Sequence, residues 1–121
     1  MGYDRRMLRV THDGNLVADS CRLADTPLTR LVGLQFARRF DRGEAVLLKP
    51  CNAVHTCFVR FPIDVLFLSG DGRIVRLIPE MKPWRFSPVV RGASQTLELP
   101  AGTAREWQLA EGDRLTFERK T

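Results

Sequence analysis

Apolar and polar positions alternate in short runs along most of this chain, the period of half-buried strands. Leu8 and Val10 flank Arg9, and Asp13-Gly14 follows, a hairpin turn signal. The run from Leu16 to Cys21 is the expected return strand. The period then changes. Thr26 suits an N-cap and Pro27 the first helical position, and Leu28, Leu31 and Val32 recur at helical spacing. Gly33 is placed to end this short helix. Arg38 to Glu44 is polar and reads as a loop, and Ala45 to Leu48 as a short strand stopped by Pro50. Val54 to Phe61 has high β propensity until Pro62 interrupts it. Ile63 to Leu68 resumes as a strand with Ile63, Val65 and Phe67 on one face and Asp64, Leu66 and Leu68 on the other. Two largely apolar faces predict a central strand covered on both sides. Asp71-Gly72 is a second hairpin signal, with Arg73 to Ile78 returning.

Pro79, Pro83 and Pro88 bracket an irregular segment holding Trp84 and Phe86. Gln95 to Leu99 alternates, which predicts Leu97 and Leu99 inward and Thr96 and Glu98 outward, before Pro100 ends the strand. Thr103 to Glu106 has capping-box spacing, predicting a helical turn that carries Trp107 inward. Gly112-Asp113 turns the chain into a last strand, Leu115 to Phe117. This gives eight or nine short strands and two short helices, with gaps too short for repeated βαβ crossovers. The predicted fold class is mainly β with one or two short helices, as a compact antiparallel β-sandwich or squat barrel.

Composition narrows the class further. The chain has 121 residues, 44% of them apolar and 27% charged, which predicts one folded domain over 1–121. No apolar run reaches the roughly 18–20 residues of a membrane span. Met1-Gly2-Tyr3-Asp4-Arg5-Arg6 leads into no apolar stretch of signal-peptide length, so no secretory signal is expected. Three cysteines, an odd number, do not suit a disulfide framework, and reduced thiols in a cytoplasmic protein are the expectation. The formal net charge is +5, with ten Lys/Arg against six Asp/Glu in residues 1–60 and nine against eight in 61–121. No basic run exceeds two residues and no aromatic ladder interleaves with the charges. A solvated basic surface is therefore favoured over nucleic-acid binding through Arg38, Arg39 and Arg42.

Three blocks resemble a known family. They are Ala24-Asp25-Thr26 followed by Arg30 and Gly33-Leu34, then Arg60 to Leu68 with Asp71-Gly72-Arg73-Ile74-Val75, then Leu97 to Gly102 with Gly112-Asp113. Together, from about residue 8 to 117, they are similar to the domain-of-unknown-function 192 family, an uncharacterised ancient conserved region. The resemblance implies a β-rich fold of sandwich or jelly-roll type and no established activity, substrate or catalytic residue. Gln35 and Val59 stand where methionine is typical of the family, and His55-Thr56-Cys57-Phe58 where many members have Phe-Trp.

Three constellations carry candidate chemistry. Cys51, His55 and Cys57 offer three borderline-soft ligands, with His12 as a distant fourth, but no paired zinc-knuckle spacing accompanies them. Small core cysteines and a hydrogen-bonded histidine are the favoured reading, with neither metal nor cofactor expected. A Cys57–His55 nucleophile pair lacks any family signature. The third is a polar pocket of His55, Thr56, Arg60 and Asp64, with Arg30 and Glu98 brought near by the fold. Arg60 and Asp64 are charges set in apolar sequence, and they either satisfy each other or clamp a small polar or anionic ligand. Trp84, Phe86 and Trp107 are candidates for a stacking wall. The leading expectation is a small-ligand or accessory binding module. The alternative is a hydrolase-like or metal-dependent enzyme using His55 with Cys57 or Asp64. The sequence assigns no oligomeric state.

Overall fold

The computed structural model describes residues 7–120; Met1–Arg6, where no secretory signal is expected, and Thr121 lie outside them. Strands β1 (Met7–His12) and β2 (Asn15–Ala24) form the hairpin signalled by Asp13-Gly14. Both turn residues take positive φ, 51° and 80°, as a tight two-residue hairpin turn requires. Helix α1 (Pro27–Val32) follows. Thr26 Oγ1 accepts the Thr29 N–H, and Thr29 Oγ1 accepts the Thr26 N–H, so a threonine does the work of the usual capping-box glutamate. The Gly33 N–H closes the helix on Thr29 O. Strand β3 (Glu44–Leu48) then runs parallel to β2. Strands β4 (Ile63–Leu68) and β5 (Ile74–Met81) pair antiparallel across Asp71-Gly72, as the turn chemistry predicts. Strand β6 (Gln95–Pro100) inserts between β4 and β3. Helix α2 (Thr103–Glu106) and strand β7 (Thr116–Arg119), antiparallel to β1, complete the chain.

The result is one seven-stranded sheet in the order β5-β4-β6-β3-β2-β1-β7, antiparallel except at β2–β3. It is mainly β with two short helices, as the hydrophobic pattern predicts. The sheet is not closed into a barrel, but residues before β7 reach back to β5. The Leu115 N–H bonds Gly72 O at 2.8 Å, and the Ile74 N–H bonds Asp113 O at 2.7 Å. Each face carries its own apolar layer. Val10, Cys21, Leu47, Leu66, Leu97 and Leu115 belong to one, with Ala104 and Leu109 around α2 against it. Val46, Leu48, Ile63, Val65 and Phe67 belong to the other, covered by Leu34, Val59 and Val90 from loops. β4 is buried along its whole length, as its two apolar faces require.

Five expectations need correction. Among the described residues there are seven strands, fewer than the eight or nine read from the pattern. Val54 to Phe61 is irregular backbone that makes only an isolated bridge, His55 to Phe86, because Phe58 turns the chain at φ 64°. Thr96 and Glu98 are buried, because the second apolar layer covers the face the alternation assigned to solvent. α2 has Gly102 as N-cap with no side-chain cap, and Trp107 is exposed. β5 runs on through Pro79 to Met81. A proline is tolerated there because β5 pairs only with β4 and lies at a sheet edge.

Candidate functional site

β3 and β6 pair with Val46 opposite Glu98, and β2 sets Arg22 beside Val46 on the far side. This row lies under α1 and the loop that follows β3. Here a cleft of about 420 Å³ opens, its walls including Pro27, Leu31, Leu48, Pro50 and Val54. Three polar candidates line it: Arg30 on α1, His55 on the irregular loop, and Glu98 at the sheet. Cys51, Asn52 and Gln35 complete the polar lining.

Glu98 is the chemically unusual group. It is only 5% exposed, yet no hydrogen bond or ion pair within 4.0 Å reaches its carboxyl from the described residues. Among the described residues no fully enclosed side-chain polar atom lacks a partner, so the Glu98 oxygens are open to the cleft that Glu98 lines. Burial pushes its pKa up to about 7, and the Arg22 guanidinium opposes the shift. Arg22 is itself committed, donating from Nη2 to Gly33 O at 2.8 Å. That bond ties the end of α1 down over the sheet, and a Cβ added at Gly33 would stand 4.0 Å from Glu98 Oε1. The arrangement presents a carboxyl that burial holds protonated well above the usual carboxylate range, with an open acceptor, beneath a rim bearing Arg30 and an imidazole.

His55 is exposed, with its ring 5.9 Å from that of Phe86. Its Nδ1 accepts the Cys57 N–H at 3.2 Å, so a neutral His55 carries its proton on Nε2. The other candidates lie elsewhere. Thr56 is fully buried; its hydroxyl donates to Lys82 O at 2.6 Å and accepts the Arg85 N–H at 2.9 Å, stitching two loops together. Arg60 is exposed beside Phe36, Phe58 and Trp84. Asp64 lies on the opposite face of the sheet from Glu98. Its two oxygens accept the Glu80 N–H at 2.8 Å and the Ala104 N–H at 2.9 Å. The expected Arg60–Asp64 pairing and the shared pocket of His55, Thr56, Arg60 and Asp64 are therefore absent. Pro62 does separate the two charges, but β4 then turns Asp64 toward α2.

This placement also bears on the enzyme reading. Asp64 does not share a cavity with His55, and Cys57 meets His55 through its backbone N–H. Cys51 lines the cleft but gives its thiol hydrogen to Ala53 O at 3.2 Å. Among the described residues no three His, Cys, Asp or Glu side chains gather as a metal site, and His12 sits beside Asp13 and Asp113 instead. Of the basic trio, Arg39 pairs with Asp41 at 3.2 Å, and Arg42 pairs with Glu106 at 3.3 Å while bonding Ala101 O. Sequence reasoning missed Arg22 and the burial of Glu98. An acid one residue from two buried leucines was the available signal, misread as half of an alternating strand.

Residues 8–117 match the model of the domain-of-unknown-function 192 family, described as an uncharacterised ACR. A UPF0127 protein of Pyrococcus furiosus is 35% identical over 118 residues, covering 93% of this chain and 98% of its own. A UPF0127 protein of Pyrococcus horikoshii is 29% identical over 101 residues, covering 79% and 85%. Among solved structures, a protein of unknown function from Novosphingobium aromaticivorans superposes with a TM-score of 0.79 at 20% identity, over 91% of this chain and 83% of that one. A chain from Sinorhizobium meliloti, described as a candidate transcription regulator, gives 0.77 at 24%, over 97% and 96%. Both likenesses are of fold.

Proposed function

The chain belongs to the domain-of-unknown-function 192 family, whose description carries no activity, and from the cleft itself we propose that it is a binding module for a small polar ligand. The observation that carries this reading is Glu98: a carboxyl more than nine-tenths buried, with an open acceptor aimed into the cleft and no protein donor among the described residues. Leaving such a group unsatisfied costs about 1–3 kcal/mol, which a ligand donor returns on binding. Arg30 at the rim supplies a cation for an anionic group on the same ligand, and Leu31, Leu48 and Val54 supply apolar wall. A donor toward the floor and an anion toward the rim describe a small zwitterion or a polar acid.

The test is a thermal-shift screen of small amines, amino acids and carboxylic acids at pH 6 and pH 8, since a ligand of the native state raises apparent stability. A raised Tm that is lost in both Glu98→Gln and Arg30→Ala supports the reading. A screen in which no compound shifts the wild type, or in which the shift survives both substitutions, refutes it.

A further inference from the structure

Ten large apolar side chains stay exposed among the described residues, and eight of them fall in three segments: 26–40, 50–62 and 82–94. These segments contain no Asp and no Glu. They also carry Arg30, Arg38, Arg60, Lys82, Arg85 and Arg91, none within 4.0 Å of a carboxylate of the described residues. Asp25 and Asp41 border the first segment, where Asp41 is held by Arg39, and Glu80 precedes the third.

The fold joins the three into one surface. The Phe36 N–H bonds Phe58 O at 2.9 Å, the Trp84 N–H bonds Thr56 O at 3.0 Å, and the Val90 N–H bonds Asn52 O at 2.9 Å. Phe58 lies between Phe36 and Trp84, with ring centroids 5.2 and 4.7 Å away. All three aromatics hold left-handed backbone, with φ of 64°, 64° and 62°. Residues other than glycine occupy that region at a cost of about 1 kcal/mol or more each, and such strain concentrates at functional surfaces. Here it buries little, since Phe36, Phe58 and Trp84 are 60%, 48% and 56% exposed. Leu28, Leu31 and Val32 extend the apolar surface along α1, and Phe86 and Val89 along the third segment.

We propose that this face docks on an anionic lipid surface, seating the Phe36–Phe58–Trp84 cluster in the interface with the basic side chains around it against lipid headgroups. The charge complementarity is one-sided, as a negative leaflet requires. The apolar set mixes Leu and Val with Phe and Trp, which suits the boundary between headgroups and acyl chains. A single-stranded nucleic acid fits less well. Bases stack on open ring faces, whereas Phe58 meets Trp84 edge-on at 61° and the aliphatic side chains offer no stacking. The proposed contact is peripheral, and among the described residues no helix is long and apolar enough to cross a membrane.

The full chain is sedimented with vesicles of phosphatidylcholine alone and with added phosphatidylserine, at low and high salt, and in parallel retained on a single-stranded DNA oligonucleotide. A Trp107→Phe background leaves Trp84 as the reporting tryptophan. The expected result is co-sedimentation with phosphatidylserine vesicles only, a blue shift of Trp84 emission, and loss of binding at high salt. Arg60→Glu with Lys82→Glu changes exposed side chains and should leave the melting curve unchanged while weakening vesicle binding about tenfold or more. Phe58→Ser with Trp84→Ser, which keeps every basic side chain, should likewise weaken low-salt binding to phosphatidylserine vesicles about tenfold or more. Equal binding to both vesicle types, no binding to either, or DNA retention that exceeds vesicle binding overturns the proposal.

Discussion

Asp64 and Glu98 stand one register step apart on paired strands, and their carboxyls leave the sheet on opposite faces. Asp64 is opposite Leu99 and Glu98 opposite Val65, so each acid is flanked across the ladder by an apolar partner. Their surroundings differ in one respect that matters. Asp64 accepts two backbone N–H groups, one from the end of β5 and one from the first turn of α2. Glu98 accepts none from the described residues. One carboxylate therefore locks the fold and the other is left for the cleft.

Glu98 makes stability depend on pH. Its folded pKa of about 7 lies above the ordinary value of 4.5, so the folded state binds the proton more tightly than the unfolded chain. Its contribution is fully present below about pH 4.5 and is lost as pH rises through 7. Glu98→Gln removes that loss. The variant should match the wild type near pH 4.5 and exceed it at pH 8 by about 3 kcal/mol at most, read from urea unfolding at both pH values. Parallel pH profiles would show that Glu98 keeps an ordinary pKa.

Asp64→Ala should destabilise by about 2–4 kcal/mol, because it strips the acceptor from two backbone N–H groups at Glu80 and Ala104. Arg60→Ala, at an exposed position without an acidic partner among the described residues, should stay within about 0.5 kcal/mol. Denaturant midpoints of the two variants settle whether these charges act separately. Similar losses in both would restore the pairing that the geometry denies.

Gly72 holds φ at 88°, and a Cβ there would drive into the carbonyl oxygen of Leu115. Gly72→Ala should cost about 2 kcal/mol or more through left-handed strain plus the clash. Gly14→Ala, at φ 80° with nothing within 4 Å of an added Cβ, should lose less. Thermal melts of the pair measure the difference, and equal losses would mean that the Leu115 contact adds nothing.

The cysteines should react in two classes. Cys21 is fully buried with its thiol pushed up to about 12 by desolvation, whereas Cys51 and Cys57 are half-buried free thiols. A thiol reagent near pH 8 should label Cys51 and Cys57 in native protein and all three in denaturant. Rapid native labelling of Cys21 would show that the layer under β2 opens readily.

The hairpins at Asp13-Gly14 and Asp71-Gly72, the Thr26-Pro27 helix start and the two-faced strand at Ile63–Leu68 were legible because short-range stereochemistry decides them. Glu98 was not. An alternating strand announces one wet face only if nothing covers it, and here the cover comes from long loops without periodicity. Val54–Phe61 failed for a related reason. Its β propensity was real, but Thr56 spends its hydroxyl on Lys82 and Arg85, and the backbone follows that tie instead of a ladder. The exposed aromatic cluster was invisible because Phe36, Phe58 and Trp84 meet only in space.

The pairing of β1 with β7 sets Leu8 against Arg119. During synthesis the β1–β2 hairpin can form well before β7, the latest of the seven strands in chain order, leaves the ribosome. Until then the outer edge of β1 exposes unpaired N–H and C=O groups to any other nascent strand. The β1–β7 seam thus closes late, and truncations that remove β7 should surface as losses of yield through aggregation.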